Sequence, residues 1–125
     1  MNGYLAVAAV VSFLLAPLHS FLGEWLIFGE LMLRKFPPIL GSEALTRRTV
    51  RYFWHLIGVF WWGFAAVLWR CAAMPDPDPT ARWTAGAIAW IFLVSSISAF
   101  VATRGRHFAW LLFLAIAVLT WLGLR

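Results

Sequence analysis

Four apolar runs, about Tyr4 to Phe28, Tyr52 to Trp69, Trp83 to Thr103 and Phe108 to Leu124, take up most of this chain and leave it one solvent to fold in. Crossing a hydrocarbon core of roughly 30 Å takes about 20 apolar residues in a helix, so the runs read as four transmembrane spans. A small soluble core has no room for them: 63% of the 125 residues are apolar and 12% are charged, with a mean hydropathy of +0.84. Nine Trp and eleven Phe fit the same solvent, because a bilayer offers apolar space to the rings and an interfacial zone to the indole N–H. The expectation is an all-α polytopic membrane protein, one domain over residues 1–125, with four helices in an up-down bundle. The first span is too long for a signal peptide and has no Lys or Arg ahead of it.

The connections carry the charge. Residues 29–51 form the long one, with Arg34, Lys35, Pro37, Pro38, Gly41, Arg47, Arg48 and Arg51. Ser42 is placed to cap a helix, and the stretch from Glu43 predicts an amphipathic turn at the interface ahead of the second span. MPDPDPT at Met74 to Thr80 is a tight polar turn, which predicts that the second and third helices are antiparallel neighbours. Arg104 to His107 make the next turn. The loops after spans one and three hold seven Lys and Arg, against three on the opposite side (Arg70, Arg82 and Arg125). By the positive-inside rule both termini then lie on the non-cytoplasmic side and the basic loop is cytoplasmic, as in a bacterial inner membrane. These cations sit at the ends of apolar runs and do not form one patch, so nucleic acid is not the expected partner. Arg34, Lys35, Arg47, Arg48 and Arg51 are expected to meet anionic lipid headgroups, or else an acidic partner.

Ionisable and polar groups inside hydrocarbon mark where chemistry can live. With about 1.5 Å of rise per residue, Glu24 lies roughly 6 Å and His19 roughly 13 Å inside the cytoplasmic end of span one. His55 lies roughly 5 Å inside span two, and Ser95, Ser96 and Ser98 roughly 7 to 12 Å inside the end of span three. The shared depth predicts one inner-leaflet polar pocket of His19, Ser20, Glu24, His55, Ser95, Ser96 and Ser98. His19 and Gly23, at i and i+4, share a face on which the small residue lets another helix approach the imidazole. Pro17 withholds an N–H from the helix, which predicts a kink near Phe13 to Pro17 and a backbone carbonyl open to other donors. Cys71 is alone and reads as a small packing residue.

Several functions are compatible with that pocket. Interhelical hydrogen bonds and a Glu24 ion pair with Arg51 or Arg48 describe a purely structural cluster. His19 and His55 are candidate metal ligands for a haem or a bacteriochlorophyll-type pigment, with Trp54, Trp61 and Trp62 around the macrocycle. Their estimated depths differ by roughly 8 Å, which argues against both binding one iron. A proton-coupled transporter would use Glu24, although that residue is near a span end and not mid-membrane. An enzyme is disfavoured, since Asp76 and Asp78 are expected on the opposite side of the membrane from the basic loop, and a Ser-His-Asp order and an HExxH motif are missing.

LHSFLGEWLIFGEL at Leu18 to Leu31, RRTVRYFWHLIGVFWW at Arg47 to Trp62 and RGRHFAWLLFLAIAVLTWLG at Arg104 to Gly123 resemble an uncharacterised family of short bacterial four-helix membrane proteins. In that family a His and a Gly, then a basic loop, precede a helix opening on a Trp-His pair. The resemblance sets His19, Gly23, Trp54 and His55 at those positions, supports fold and compartment, and implies no activity. The leading functional expectation is a non-enzymatic bundle that works by association, as an accessory subunit of a larger membrane complex or as a homo-oligomer. Gly58 and Gly63 with Trp61 and Trp62 give the second helix an uneven surface for a partner helix, and no cofactor is expected on this reading.

Overall fold

The computed structural model describes all 125 residues, and every regular element in it is helical. Helix α1 is one helical run over Gly3–Leu31. It starts where the Asn2 side chain accepts the Leu5 N–H at 3.2 Å. It is α-helical over Gly3–Leu22, widens to a π-helix over Gly23–Phe28, and closes with an α-turn at Gly29–Leu31. The helix continues through Pro17, which has no N–H for the Phe13 carbonyl four residues back; the Trp62 indole donates to that carbonyl at 3.2 Å instead. Ser42 caps α2, Glu43–Ala73, by accepting the Leu45 N–H at 3.1 Å. Asp78 caps α3, Pro79–Thr103, at 2.8 Å from Ala81 N, and Pro79 occupies a first-turn position where a missing N–H costs nothing. Arg104 adopts the left-handed conformation (φ 51°) and the Gly105 N–H returns to the Phe100 carbonyl at 2.8 Å, a Schellman-type stop. Helix α4 is Ala109–Gly123.

By length and apolar composition α1, α2 and α3 can each cross a membrane, and α4 is a shorter apolar fourth helix, roughly 22 Å long at about 1.5 Å per residue. The chain is therefore a helical membrane bundle. The long connection is much shorter than expected from sequence. Helix α1 runs on to Leu31, and α2 begins at Glu43 instead of near Tyr52. Once Ser42 caps the helix, no Gly or Pro stands between Glu43 and Arg51 to stop it, so the anticipated interfacial turn and the second span are one continuous element.

Packing departs from the expected neighbours. Helix α1 lies between α2 and α4, and α3 packs on α4; α2 and α3, though joined by the short Met74 to Asp78 turn, share only a thin contact. Within it, Phe64 and Phe92 meet edge to face at 5.8 Å. The cause is side-chain size. Ala6, Ala8, Ala9 and Ala16 let α1 approach closely, and Gly58 seats against Ala16, where a Cβ would stand 3.4 Å from the alanine methyl. Leu5, Leu68, Phe92 and Ile116 are fully buried in the resulting core. The second helix's uneven surface thus divides: Gly58 and Trp61 face inward, while Trp62 is half-exposed and Gly63 borders open space.

Hydrogen bonds fasten the α1–α2 seam along its length. Asn2 N–H donates to the Ala72 carbonyl at 2.8 Å, the buried Ser12 hydroxyl to the Trp61 carbonyl at 3.0 Å, and the Trp54 indole to the His19 carbonyl at 3.3 Å. The Asn2 side-chain amide also reaches the Gly123 carbonyl at 2.6 Å, and Arg82 binds the Leu124 carbonyl. Both termini and the Met74 to Asp78 turn therefore share one end of the bundle, and the basic loop and the Arg104 to His107 turn share the other.

Candidate functional site

At the basic end, α1 and α2 are clasped by four side chains. Ser20 and Glu24 are one turn apart on α1, and Arg51 and His55 are one turn apart on α2, so each pair shares a face. His55 Nε2 lies 2.7 Å from Glu24 Oε1 and its Nδ1 lies 3.0 Å from Ser20 Oγ. Because the carboxylate can only accept, the imidazole donates through Nε2. Arg51 grips the same carboxylate with Nε, at 2.7 Å, and with a second guanidinium nitrogen. Arg51 and not Arg48 is thus the partner of Glu24. Serine, histidine and glutamate in contact are also the residue types of a hydrolytic triad. Here the group links α1 to α2 through Ser20, Glu24, Arg51 and His55, as a clasp.

One turn further into the bundle, His19 stacks on Trp54 with ring centroids 4.2 Å apart and planes 10° from parallel, and meets the edge of Trp61 at 4.9 Å. Gly23 makes this possible: a Cβ there would stand 2.0 Å from Trp54 Nε1. Phe28 meets Trp54 edge to face at 5.6 Å. His19 Nε2 is buried with no hydrogen-bond partner, a desolvation cost of about 1–3 kcal/mol. His19, Gly23, Trp54 and His55 are therefore adjacent in space.

Between α2 and α3, below the Phe64–Phe92 contact, a half-open cavity of about 650 Å³ penetrates the bundle. Leu15, Leu18, His19 and Leu22 of α1 form one wall, Trp54, Ile57 and Trp61 of α2 a second, Ser95 and Ser98 of α3 a third. Leu112 and Phe113 of α4 close it, with His107 and Phe108 at the basic end. The cavity follows from the fold, since two helices that are held together at one end by a turn do not pack at the other. No Asp, Glu, Lys or Arg lines it.

The single pocket expected from depth is thus divided. Ser20, Glu24 and His55 belong to the clasp; His19, Ser95 and Ser98 line the cavity; the buried Ser96 instead donates to the Trp110 carbonyl of α4 at 2.8 Å. Depth alone does not give the rotational position of a residue on its helix, and that position separates the groups. The sequence reading passed over His107, whose place in a turn gave no sign that it borders a cavity. Bis-histidine ligation of a haem or pigment does not fit these residues, since His55 has both ring nitrogens engaged and His19 Nε2 is enclosed. Of the five loop cations, Arg47 binds Glu43 and the Met32 and Arg34 carbonyls, and Arg51 binds Glu24. Arg34, Lys35 and Arg48 remain exposed and outside any ion pair.

Comparison with protein-family models, curated proteins and solved structures finds no match to this chain.

Proposed function

We propose that this protein is a bundle of the bacterial inner membrane that holds a lipophilic small molecule in the cavity between α2 and α3. The carrying observation is the cavity itself: about 650 Å³, walled by indole and aliphatic side chains, with a few polar side chains, Ser95, Ser98 and His107 among them, in its lining. Ligand sites have this character, concave and mostly apolar with sparse polar groups that fix orientation. The seven-to-three distribution of basic residues orients the bundle with its basic end in the cytoplasm and both termini outside, so the cavity sits in the inner leaflet. Gentle extraction from native membranes, followed by an absorption spectrum and mass analysis of the organic extract, tests the proposal. The expected result is a lipophile in near-stoichiometric amount that is missing from Leu22→Trp, a variant that fills the cavity from α1. Bulk lipid alone, in the same proportions for both proteins, defeats it.

A second reading, association as an accessory subunit or homo-oligomer, is favoured by a separate feature. On the outer face of α1 and α2 a groove of about 560 Å³ runs between Val10, Phe13 and Leu14 on one side and Trp62, Ala66 and Trp69 on the other. Ala9, Ala65 and Ala73 join Ala66 in its lining, and helix pairs in membranes pack on small residues of this kind. Light scattering on mildly solubilised protein decides it, a lone monomer that recovers no partner ending the reading.

A further inference from the structure

We infer that the cavity takes a neutral, carbonyl-headed lipophile of the chemical class of a membrane quinone, and that Ser98 and His107 hold its head. This inference rests on the ligand-holding reading above and narrows it.

Charge is the first argument. None of the 17 lining residues is Asp, Glu, Lys or Arg, so a phosphate or carboxylate head would enter without a countercharge, at a high desolvation cost. Arg51 is bound to Glu24 and Arg47 to Glu43 and the loop carbonyls, and Arg104 and Arg106, in the turn that carries His107, are not among the lining residues.

Hydrogen-bond polarity is the second. His107 Nδ1 accepts the Ala109 N–H at 3.2 Å. A neutral imidazole that accepts at Nδ1 carries its proton on Nε2, which leaves the ring one N–H donor. On α3, Ser95 donates to the Ile91 carbonyl at 2.8 Å and Ser96 to the Trp110 carbonyl at 2.8 Å, so Ser98 is the serine whose hydroxyl is not spent within the bundle. The lining therefore offers, at its basic end, a ring N–H and a hydroxyl that is free to donate. Their complement is a carbonyl oxygen.

Placement is the third. Ser98 and His107 flank the end of α3, near the headgroup level, whereas Trp61 and Leu15 lie a few turns deeper. A flat ring entering from that end would lie against Trp54 and Phe113, with its apolar tail toward the bilayer centre.

Calorimetric titration of the protein in phosphatidylcholine nanodiscs tests this, with decylubiquinone and palmitate as the probes. Decylubiquinone should bind one site at least tenfold more tightly than palmitate. Ser98→Ala and His107→Phe should each weaken it by about three- to tenfold, the effect of one lost hydrogen bond, while Ser98→Thr, which keeps the hydroxyl, should bind like the native protein. Thermal unfolding in the same nanodiscs identifies any variant that fails to fold. Palmitate binding as tightly as the quinone, or quinone affinity indifferent to both donor variants, overturns the carbonyl-head inference and leaves the cavity reading standing. No binding of either probe, or quinone binding that survives Leu22→Trp, overturns both.

Discussion

Gly23 is the residue on which the His19 environment turns. With Trp54 Nε1 at 2.0 Å from where a methyl would sit, Gly23→Ala must push the indole off the imidazole and off the His19 carbonyl. Overpacking of this kind costs about 1–3 kcal/mol, read as lower stability in reversible detergent unfolding. In a Trp54→Phe background, where the smaller ring leaves room, the same glycine change should cost well under half as much; equal costs in both backgrounds would mean that close approach is not the reason for the glycine. Glu24→Gln is expected to be milder, about 1 kcal/mol or less, because both ion-pair partners are a third to a half exposed. The sequence showed that a small residue one turn from His19 admits a neighbour, but not that the neighbour is a side chain of the Trp-His pair. It also left Glu24 to choose between Arg48 and Arg51. That choice needs α2 to be helical already at Arg51, ahead of the expected start near Tyr52, because only then do Arg51 and His55 share a face.

Helix existence was legible in the apolar runs, and one start was legible in Ser42, whose capping chemistry is local; the start at Asp78 and Pro79 lies in a stretch whose sequence predicts only a turn. Two further features were not legible. The thin α2–α3 contact depends on which helix carries the alanines, and a short turn between helices does not report that. The π-helix over Gly23–Phe28 has no sequence signature, since it is the way a helix absorbs one extra residue while keeping its contacts on both sides. That origin predicts an asymmetry between deletions. Removing Trp25, which is 70% exposed, should let the wide turn close as α-helix with Glu24 and Phe28 still facing α2, leaving the unfolding midpoint within a few degrees of native. Removing Val10 from the regular part of α1 should rotate one flank by about 100° against the other, separate Asn2 from Ser12 and Trp54 along the seam, and abolish cooperative unfolding. Equal damage from the two deletions would show that the π segment is not an absorbed insertion.

At the scale of the whole molecule, orientation follows from how its cations are divided between the two ends and from which of them are free. The end with the termini holds Arg70, Arg82 and Arg125, with Arg82 bound to the Leu124 carbonyl; the opposite end holds seven basic residues, of which five are exposed and outside any ion pair, Arg104 and Arg106 in the turn and, in the long loop and the start of α2, Arg34, Lys35 and Arg48. Those three can be changed without breaking the clasp or the loop, which separates topology from folding. Alkaline phosphatase fused after Arg125 should be active and green fluorescent protein fused there dark, because the positive-inside rule keeps the richer end in the cytoplasm. Replacing Arg34, Lys35 and Arg48 by Gln leaves four cations against three and should yield a mixed population, with the fluorescent fusion gaining signal as the phosphatase loses it. Full phosphatase activity in that triple variant would mean that Arg47, Arg51, Arg104 and Arg106, two of them in ion pairs with Glu43 and Glu24, suffice to hold the orientation. A bright fluorescent fusion on the unaltered chain would instead place the cavity in the outer leaflet, where the proposed lipophile would have to enter from the opposite side of the membrane.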